Sequence, residues 1–166
     1  MAFWECVQYL VITGIIAFFV GRIMPKKWFC PNSFPYRSFR FEQDGKFYHK
    51  FKIHYWQSKL PDMSKILPNL MPAKDLSGNY AERLPEMIQE TCMAEFIHIV
   101  LCFTGCYCFE LWPGIGGFMV VILYIGLFNL PYIMIQRYNR PRLMKLTLRL
   151  KKEYVQQEEH IKCKSV

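Results

Sequence analysis

At 166 residues, with 52% apolar and 17% aromatic side chains gathered into long charge-free runs, the chain reads as an integral membrane protein and not as one soluble domain. Its formal net charge of +8 comes without a nucleic-acid motif, and the basic residues cluster beside apolar runs. An anionic membrane surface is therefore the expected partner, and no nucleic acid is. Seven cysteines show neither zinc-ligand spacing nor a secreted disulfide framework; Cys6, Cys102, Cys106 and Cys108 are expected as buried reduced thiols, and no metal ligands are assigned.

Residues 1–24 form the first expected span. Val7–Val20 is broken only by Gln8, Thr13 and Gly14, with Trp4 and Tyr9 near one end. The lack of a basic n-region and of a small-x-small site before Pro25 favours a retained helix over a signal peptide.

Residues 25–95 form a water-facing or interfacial region, since Arg22–Glu95 holds twelve Lys/Arg against eight Asp/Glu and no run long enough to span. Asp44-Gly45 breaks the pattern, and then Phe47, Phe51 and Tyr55, with Tyr48, Lys52 and Trp56, recur at three and four residues, which predicts one aromatic, basic helix ending before Pro61 and lying in the interface. Glu42, Lys46 and Trp56 are candidate headgroup or sugar contacts. Pro61, Pro68, Pro72 and Pro85 forbid a continuous helix over Leu60–Pro85, so short turns forming a lid are expected there, with Asp62 as a turn residue.

A helix starting at Pro85 is predicted to run into the second span, Phe96–Trp112. A tight turn over Trp112–Gly117 then leads to the third, Phe118–Ile135, so that residues 96–135 make a transmembrane hairpin. Thr91, Glu95 and His98 share one helical face where the chain enters the bilayer, and an ionisable residue at that depth is a functional candidate because burying it in lipid is costly. A Glu-x-x-His pair also occurs in di-iron bundles, but those need two such pairs. Asn129 and Pro131 interrupt the third span; Asn129 either satisfies the freed backbone or faces a cavity shared with His98.

Residues 136–166 form a basic amphipathic tail. Leu143, Leu146, Leu150 and Tyr154 alternate with Arg149, Lys151 and Lys152, and the end from Glu153 is polar, with His160 and Cys163 outside any site. All the Lys and Arg lie in the Arg22–Glu95 loop or in the tail from Arg137, with none before Arg22 or in the Glu110–Gly117 turn. The positive-inside rule places loop and tail in the cytoplasm, and with them both His98 and the arginine cluster. The expected class is all-α: about three transmembrane helices in a multi-pass protein of a bacterial cell membrane, plus amphipathic interfacial helices.

Three blocks carry a resemblance: Ser38–Gly45 with Lys46 and Phe47; Glu90–His98, through Glu90, Thr91, Ala94, Glu95 and His98; and Gln136-Arg137-Tyr138-Asn139-Arg140-Pro141-Arg142-Leu143 with Asn129-Leu130-Pro131 before it. In that order they resemble the glycosyl-diaponeurosporenoate acyltransferase family, small bacterial membrane enzymes that place a fatty acyl chain on the sugar of a glycosylated carotenoid. The resemblance implies a lipid-linked sugar acceptor and an activated fatty acyl donor, acyl-CoA or acyl-carrier protein, as co-substrate with no other cofactor. The Cys-rich second span and the Pro61–Pro85 segment depart from the family and leave the acceptor open between a glycosylated carotenoid and another glycolipid.

Such a reaction needs a base, an orienter for the base and donors for the oxyanion. Among four histidines His98 alone combines membrane-boundary depth with a carboxylate one turn away, so it is the expected general base with Glu95 as its orienter; His49 and His54 are the competing bases. Arg137, Arg140, Tyr138 and Asn139 are expected to hold a donor phosphate or the oxyanion, and Arg142 the headgroup layer. No Gly-x-Ser-x-Gly elbow is present, so direct transfer is the simpler expectation. The alternative is a non-catalytic membrane adaptor that binds anionic lipid and docks a partner protein; a third reading, a lipid hydroxylase or desaturase, requires bound iron. A homo-oligomer is an expectation from architecture alone, since three spans close a lipid cavity poorly.

Overall fold

The computed structural model describes residues 1–60 and 80–164, with side chains described over 1–60 and 83–157. The expected lid and Asp62 lie in the stretch outside the described residues. Among the described residues the chain is all-α. Helix α1 (Ala2–Ile23) leads through a 3-10 turn at Lys26–Trp28 into an irregular stretch, then a 3-10 segment at Arg40–Phe51, the short α2 (Ile53–Trp56) and a further 3-10 turn at Gln57–Lys59. Helix α3 (Tyr80–Gly105) and the short α4 (Cys108–Leu111) lead to α5 (Ile115–Leu123), a π-helical turn at Tyr124–Asn129, and α6 (Leu130–Lys164).

Three helical stretches are long and apolar enough to cross a membrane: Ala2–Ile23, Arg83–Leu111 and Ile115–Gln157, with mean hydropathies of 1.9, 1.7 and 2.2. Their large apolar side chains point outward, as at Ile12, Ile16 and Phe19 of α1 and Ile122, Leu127 and Phe128 near the third span. That suits a lipid solvent, which is as apolar as the side chains facing it. Helix α3 packs chiefly against α6, and α1 covers α3. At the hairpin end Cys6, Cys108 and Val121 form a small core with Tyr9, Leu10 and Trp112 around it. Cys6 and Cys108 are buried as expected and Cys102 is half-buried, but Cys106 is exposed, because it falls in the bend between α3 and α4.

The aromatic stretch is not one helix. The break expected at Asp44-Gly45 is present as left-handed backbone at Gln43, Asp44 and Gly45 (φ 47°, 55° and 90°), but left-handed Lys52 (φ 51°) breaks the aromatic stretch itself, and the short pieces wind so that Tyr48 and Ile53 pack on Tyr138 of α6. Burial of that cluster overrides the helical spacing of the aromatics. The helix expected to begin at Pro85 begins at Tyr80, with Pro85 inside it. The tail expected as a separate helix beyond Pro141 is continuous with α6.

Pro141 has no N–H for the carbonyl of Arg137 one turn earlier, and Gly45 seats its backbone there. A Cβ on Gly45 would lie 3.3 Å from the Tyr138 carbonyl oxygen and 3.9 Å from that of Arg137. With φ at +90° as well, Gly45→Ala is expected to destabilise the fold by about 1–3 kcal/mol, read as a lower thermal midpoint of the detergent-solubilised protein.

Candidate functional site

The three sequence blocks meet in space. Arg137, on the first half of α6, donates from Nε to Glu95 Oε1 at 2.7 Å, from Nη1 to Glu42 Oε1 at 2.6 Å and from Nη2 to the Pro35 carbonyl at 2.6 Å. Arg140, one turn on, donates to Glu95 Oε2, to Thr91 Oγ1 at 2.9 Å, to the Thr91 carbonyl at 3.1 Å and to the Tyr36 carbonyl at 2.6 Å. Glu42 also accepts from the Phe39 N–H at 2.8 Å and from the Tyr48 hydroxyl. Burial, and then the bond to Glu42, push the Tyr48 phenol above its usual range, which keeps it a donor.

Two carboxylates thus face two guanidinium groups, with Glu42, Thr91, Glu95 and Arg140 all almost fully buried. Buried charges are tolerable only when paired and hydrogen-bonded, and here each acceptor has a partner. The cluster ties the 35–42 stretch to α3 and α6. A second tie lies nearby, where Lys26 pairs with Glu86 and Glu90 of α3. Burial acts to lower the Lys26 ammonium, but the bonds to these two carboxylates outweigh it and leave its pKa raised.

One turn beyond Glu95 on α3 stands His98. Its Nδ1 lies 3.1 Å from Asn129 Oδ1, and its ring stacks on Tyr132 with centroids 4.8 Å apart and planes 8° from parallel. Asn129, fully buried, donates from Nδ2 to the Tyr124 carbonyl at 3.1 Å. A carbonyl requires a donor, so the amide nitrogen faces Tyr124 and Oδ1 faces the imidazole. Oδ1 is an acceptor only, so His98 carries its proton on Nδ1, and neutral His98 presents a bare lone pair at Nε2. Asn129 therefore meets His98 directly, and the backbone it bonds is the Tyr124 carbonyl in the π turn, not the Leu127 carbonyl four residues before Pro131.

Glu95 does not orient His98. Both its oxygens are taken by guanidinium groups, whose charge-assisted bonds outcompete a neutral imidazole, and Asn129 stands at Nδ1 instead. The donors of Arg137 and Arg140 likewise point to acceptors within the fold. Arg142 is exposed; its guanidinium lies 3.7 Å over the Tyr138 ring and 3.2 Å from His49 Nε2. Tyr138 is fully buried in the aromatic core, and Trp56 packs beside it, donating to the Phe51 carbonyl at 2.9 Å. His54 stacks on Tyr55 at 4.0 Å.

Two surface clefts flank the cluster. One, of about 220 Å³, runs between α3 and α6 and is lined by Thr91, Gln136, Asn139 and Arg142 with Met87 and Leu146. The other, of about 510 Å³, lies between the Arg40–Phe51 segment and α6 and holds Lys46. Sequence reasoning missed Tyr132 and Tyr48. Tyr132, one turn after Asn129, was findable from that spacing; Tyr48 was not, because the strand of contacts that brings it to Glu42 depends on the left-handed turn between them.

Replacing Asn129 by alanine frees the His98 tautomer and its ring orientation. If His98 acts as a base, turnover is expected to fall about tenfold to a hundredfold with KM little changed, and the acid limb of the rate profile is expected to shift, as measured by steady-state kinetics across pH.

A family model described as glycosyl-4,4'-diaponeurosporenoate acyltransferase matches residues 25–149. Among curated proteins, the chain is 32% identical over 148 residues to the glycosyl-4,4'-diaponeurosporenoate acyltransferase of Staphylococcus aureus strain MRSA252, covering 89% of this chain and 88% of the relative. The protein of the same description from strain Newman is 32% identical over 149 residues, covering 89% of each. No solved structure matches the chain.

Proposed function

The chain belongs to the glycosyl-4,4'-diaponeurosporenoate acyltransferase family, and on that premise we propose that it moves a fatty acyl group from an activated thioester to a sugar hydroxyl of a glycosylated carotenoid acid or a related glycolipid. The observation that carries the mechanism is His98 held by Asn129 and Tyr132 with Nε2 bare, directly beside the cluster in which all three sequence blocks meet. In this reading Nε2 takes the hydroxyl proton as the sugar oxygen attacks the thioester carbonyl. The tetrahedral intermediate then expels the thiolate, which takes the proton back from the imidazolium as the C–S bond breaks. Asn129 Oδ1 accepts from Nδ1–H throughout and favours the imidazolium, the part a carboxylate has in a triad.

Glu42, Glu95, Arg137 and Arg140 have a positioning part: they hold α3 and α6 in register so that His98 and Asn129 meet. Thr91, Asn139 and Arg142 line the small cleft about two to four turns away and are proposed to contact the sugar. Charge in the loop and tail supports a site on the cytoplasmic side of a bacterial cell membrane, where acyl thioesters are made. The test is to incubate the purified, detergent-solubilised protein with a glycosylated diaponeurosporenoate and a long-chain acyl thioester. A product heavier than the acceptor by one acyl residue is expected, with release of free thiol; recovery of both substrates unchanged by a folded protein refutes the reading.

A further inference from the structure

The larger cleft carries chemistry that the His98 site does not use. Its walls bear Arg40, Lys46 and Lys145 against a single carboxylate, Asp44, which lies 3.4 Å from Lys145. Arg40 and Lys46 have no ion-pair partner among the described residues, so the cleft keeps uncompensated positive charge on its walls. At about 510 Å³ it is of the size that holds a small ligand. The wall is formed by Gln43 and Asp44 at φ 47° and 55°, a conformation costly for such residues and retained only where the surroundings enforce it. Gly45 behind them, seated on α6, supplies that enforcement.

The cleft also abuts the site. Phe39 lines it and carries the Arg137 guanidinium 4.6 Å over its ring. Along the helix axis Arg137 lies about 12 Å from Asn129, and Lys145 of the cleft about 24 Å, at 1.5 Å of rise per residue. With the donors of Arg137 and Arg140 turned inward, anion binding near the site falls to the cations that face outward. Three cations on the walls of one cleft, two of them without a carboxylate partner, suit a ligand with several phosphates, while His98 requires a thioester at the membrane boundary. A molecule that satisfies both must bear phosphates at one end, a thioester at the other and a flexible arm between.

We propose that this cleft binds the phosphate groups of a coenzyme A thioester, with Arg40, Lys46 and Lys145 on the phosphates and the pantetheine arm running beside α6 toward His98. The proposal rests on the acyl-transfer reading and names the donor for it. An anionic lipid headgroup offers the same phosphate chemistry without the arm, so the test separates the two sources.

Binding of free coenzyme A to the purified protein in neutral detergent is measured by titration calorimetry, for wild type, for the Lys46→Ala/Lys145→Ala double variant and for Lys27→Ala/Lys59→Ala, which removes the same charge away from the cleft. Saturable binding is expected, weakened about tenfold or more in the first double variant and unchanged in the second. In parallel, flotation with phosphatidylglycerol vesicles is expected to be the same for all three proteins. No saturable binding of coenzyme A, equal weakening in both double variants, or a loss confined to vesicle binding in the cleft variant would each overturn the proposal. Neither readout needs acceptor or turnover. If acyl transfer proceeds while the cleft variant binds coenzyme A as wild type does, the cleft assignment fails and the function stands.

Discussion

Replacing Glu95 by alanine is expected to cost about 3–5 kcal/mol, because it strips two buried guanidinium groups of the carboxylate they share and leaves both charges in a low-dielectric site. For a chain of this size that corresponds to a fall in thermal midpoint on the order of ten degrees, or to loss of the folded protein from the membrane fraction. Glu95→Gln tests the cause. It keeps the shape and presents an NH2 group to guanidinium donors, so it is expected to lose nearly as much, although the cavity term is absent. The measurement is thermal unfolding in detergent, followed by size-exclusion chromatography of the soluble fraction. A midpoint within about two degrees of wild type for both variants would mean that the cluster does not hold α3, α6 and the 35–42 stretch together.

The second large effect is on chemistry with little effect on folding. His98→Ala removes the only nitrogen lone pair that the Asn129 contact leaves free, and turnover is expected to fall by about two to four orders of magnitude. The structural loss is one stacking face and the donor of the buried Asn129 Oδ1, about 1–3 kcal/mol, so the thermal midpoint should move less than in the Glu95 variants. The contrast between the two residues is the informative result, since they lie one turn apart on the same helix face. A His98→Ala protein that turns over at the wild-type rate would remove it as base and return attention to His49, whose Nε2 faces Arg142, and to His54.

The sequence disclosed the candidate spans, because a bilayer requires long apolar runs and the described residues hold three of them. It also disclosed most members of the polar cluster. Thr91, Glu95 and His98 stand on one face by helical spacing alone, and a charged residue at that depth announces itself by its cost. What it did not disclose was who pairs with whom. Glu95 is one turn from His98 in sequence, yet its oxygens go to Arg137 and Arg140, more than forty residues away, because tertiary packing brings stronger donors to it. Asn129 was legible as a partner for backbone or for His98, but not as one that bonds the imidazole and the Tyr124 carbonyl together, since the π turn that aims its two ends in different directions has no marker beyond Pro131.

Broken elements were hidden for a related reason. Aromatics at three- and four-residue spacing describe a helix only if the backbone between them is helical, and left-handed Lys52 bears a side chain that does not advertise that conformation. Asp44-Gly45, by contrast, marked the break before Phe47 openly. Pro141 misled in the opposite direction: it reads as a helix boundary, yet α6 passes through it, with Gly45 packed close to that turn.

The measurement that bears most directly on the account is lipid mass spectrometry of cells that make glycosylated diaponeurosporenoate and carry either the wild-type chain or His98→Ala at matched membrane abundance. The account predicts a glycosylated carotenoid heavier by one fatty acyl residue with the wild-type chain, and only the unacylated acceptor with His98→Ala. The acylated species in equal amount in both strains would contradict the role of His98. Its absence from both, with acceptor present, would contradict acyl transfer itself.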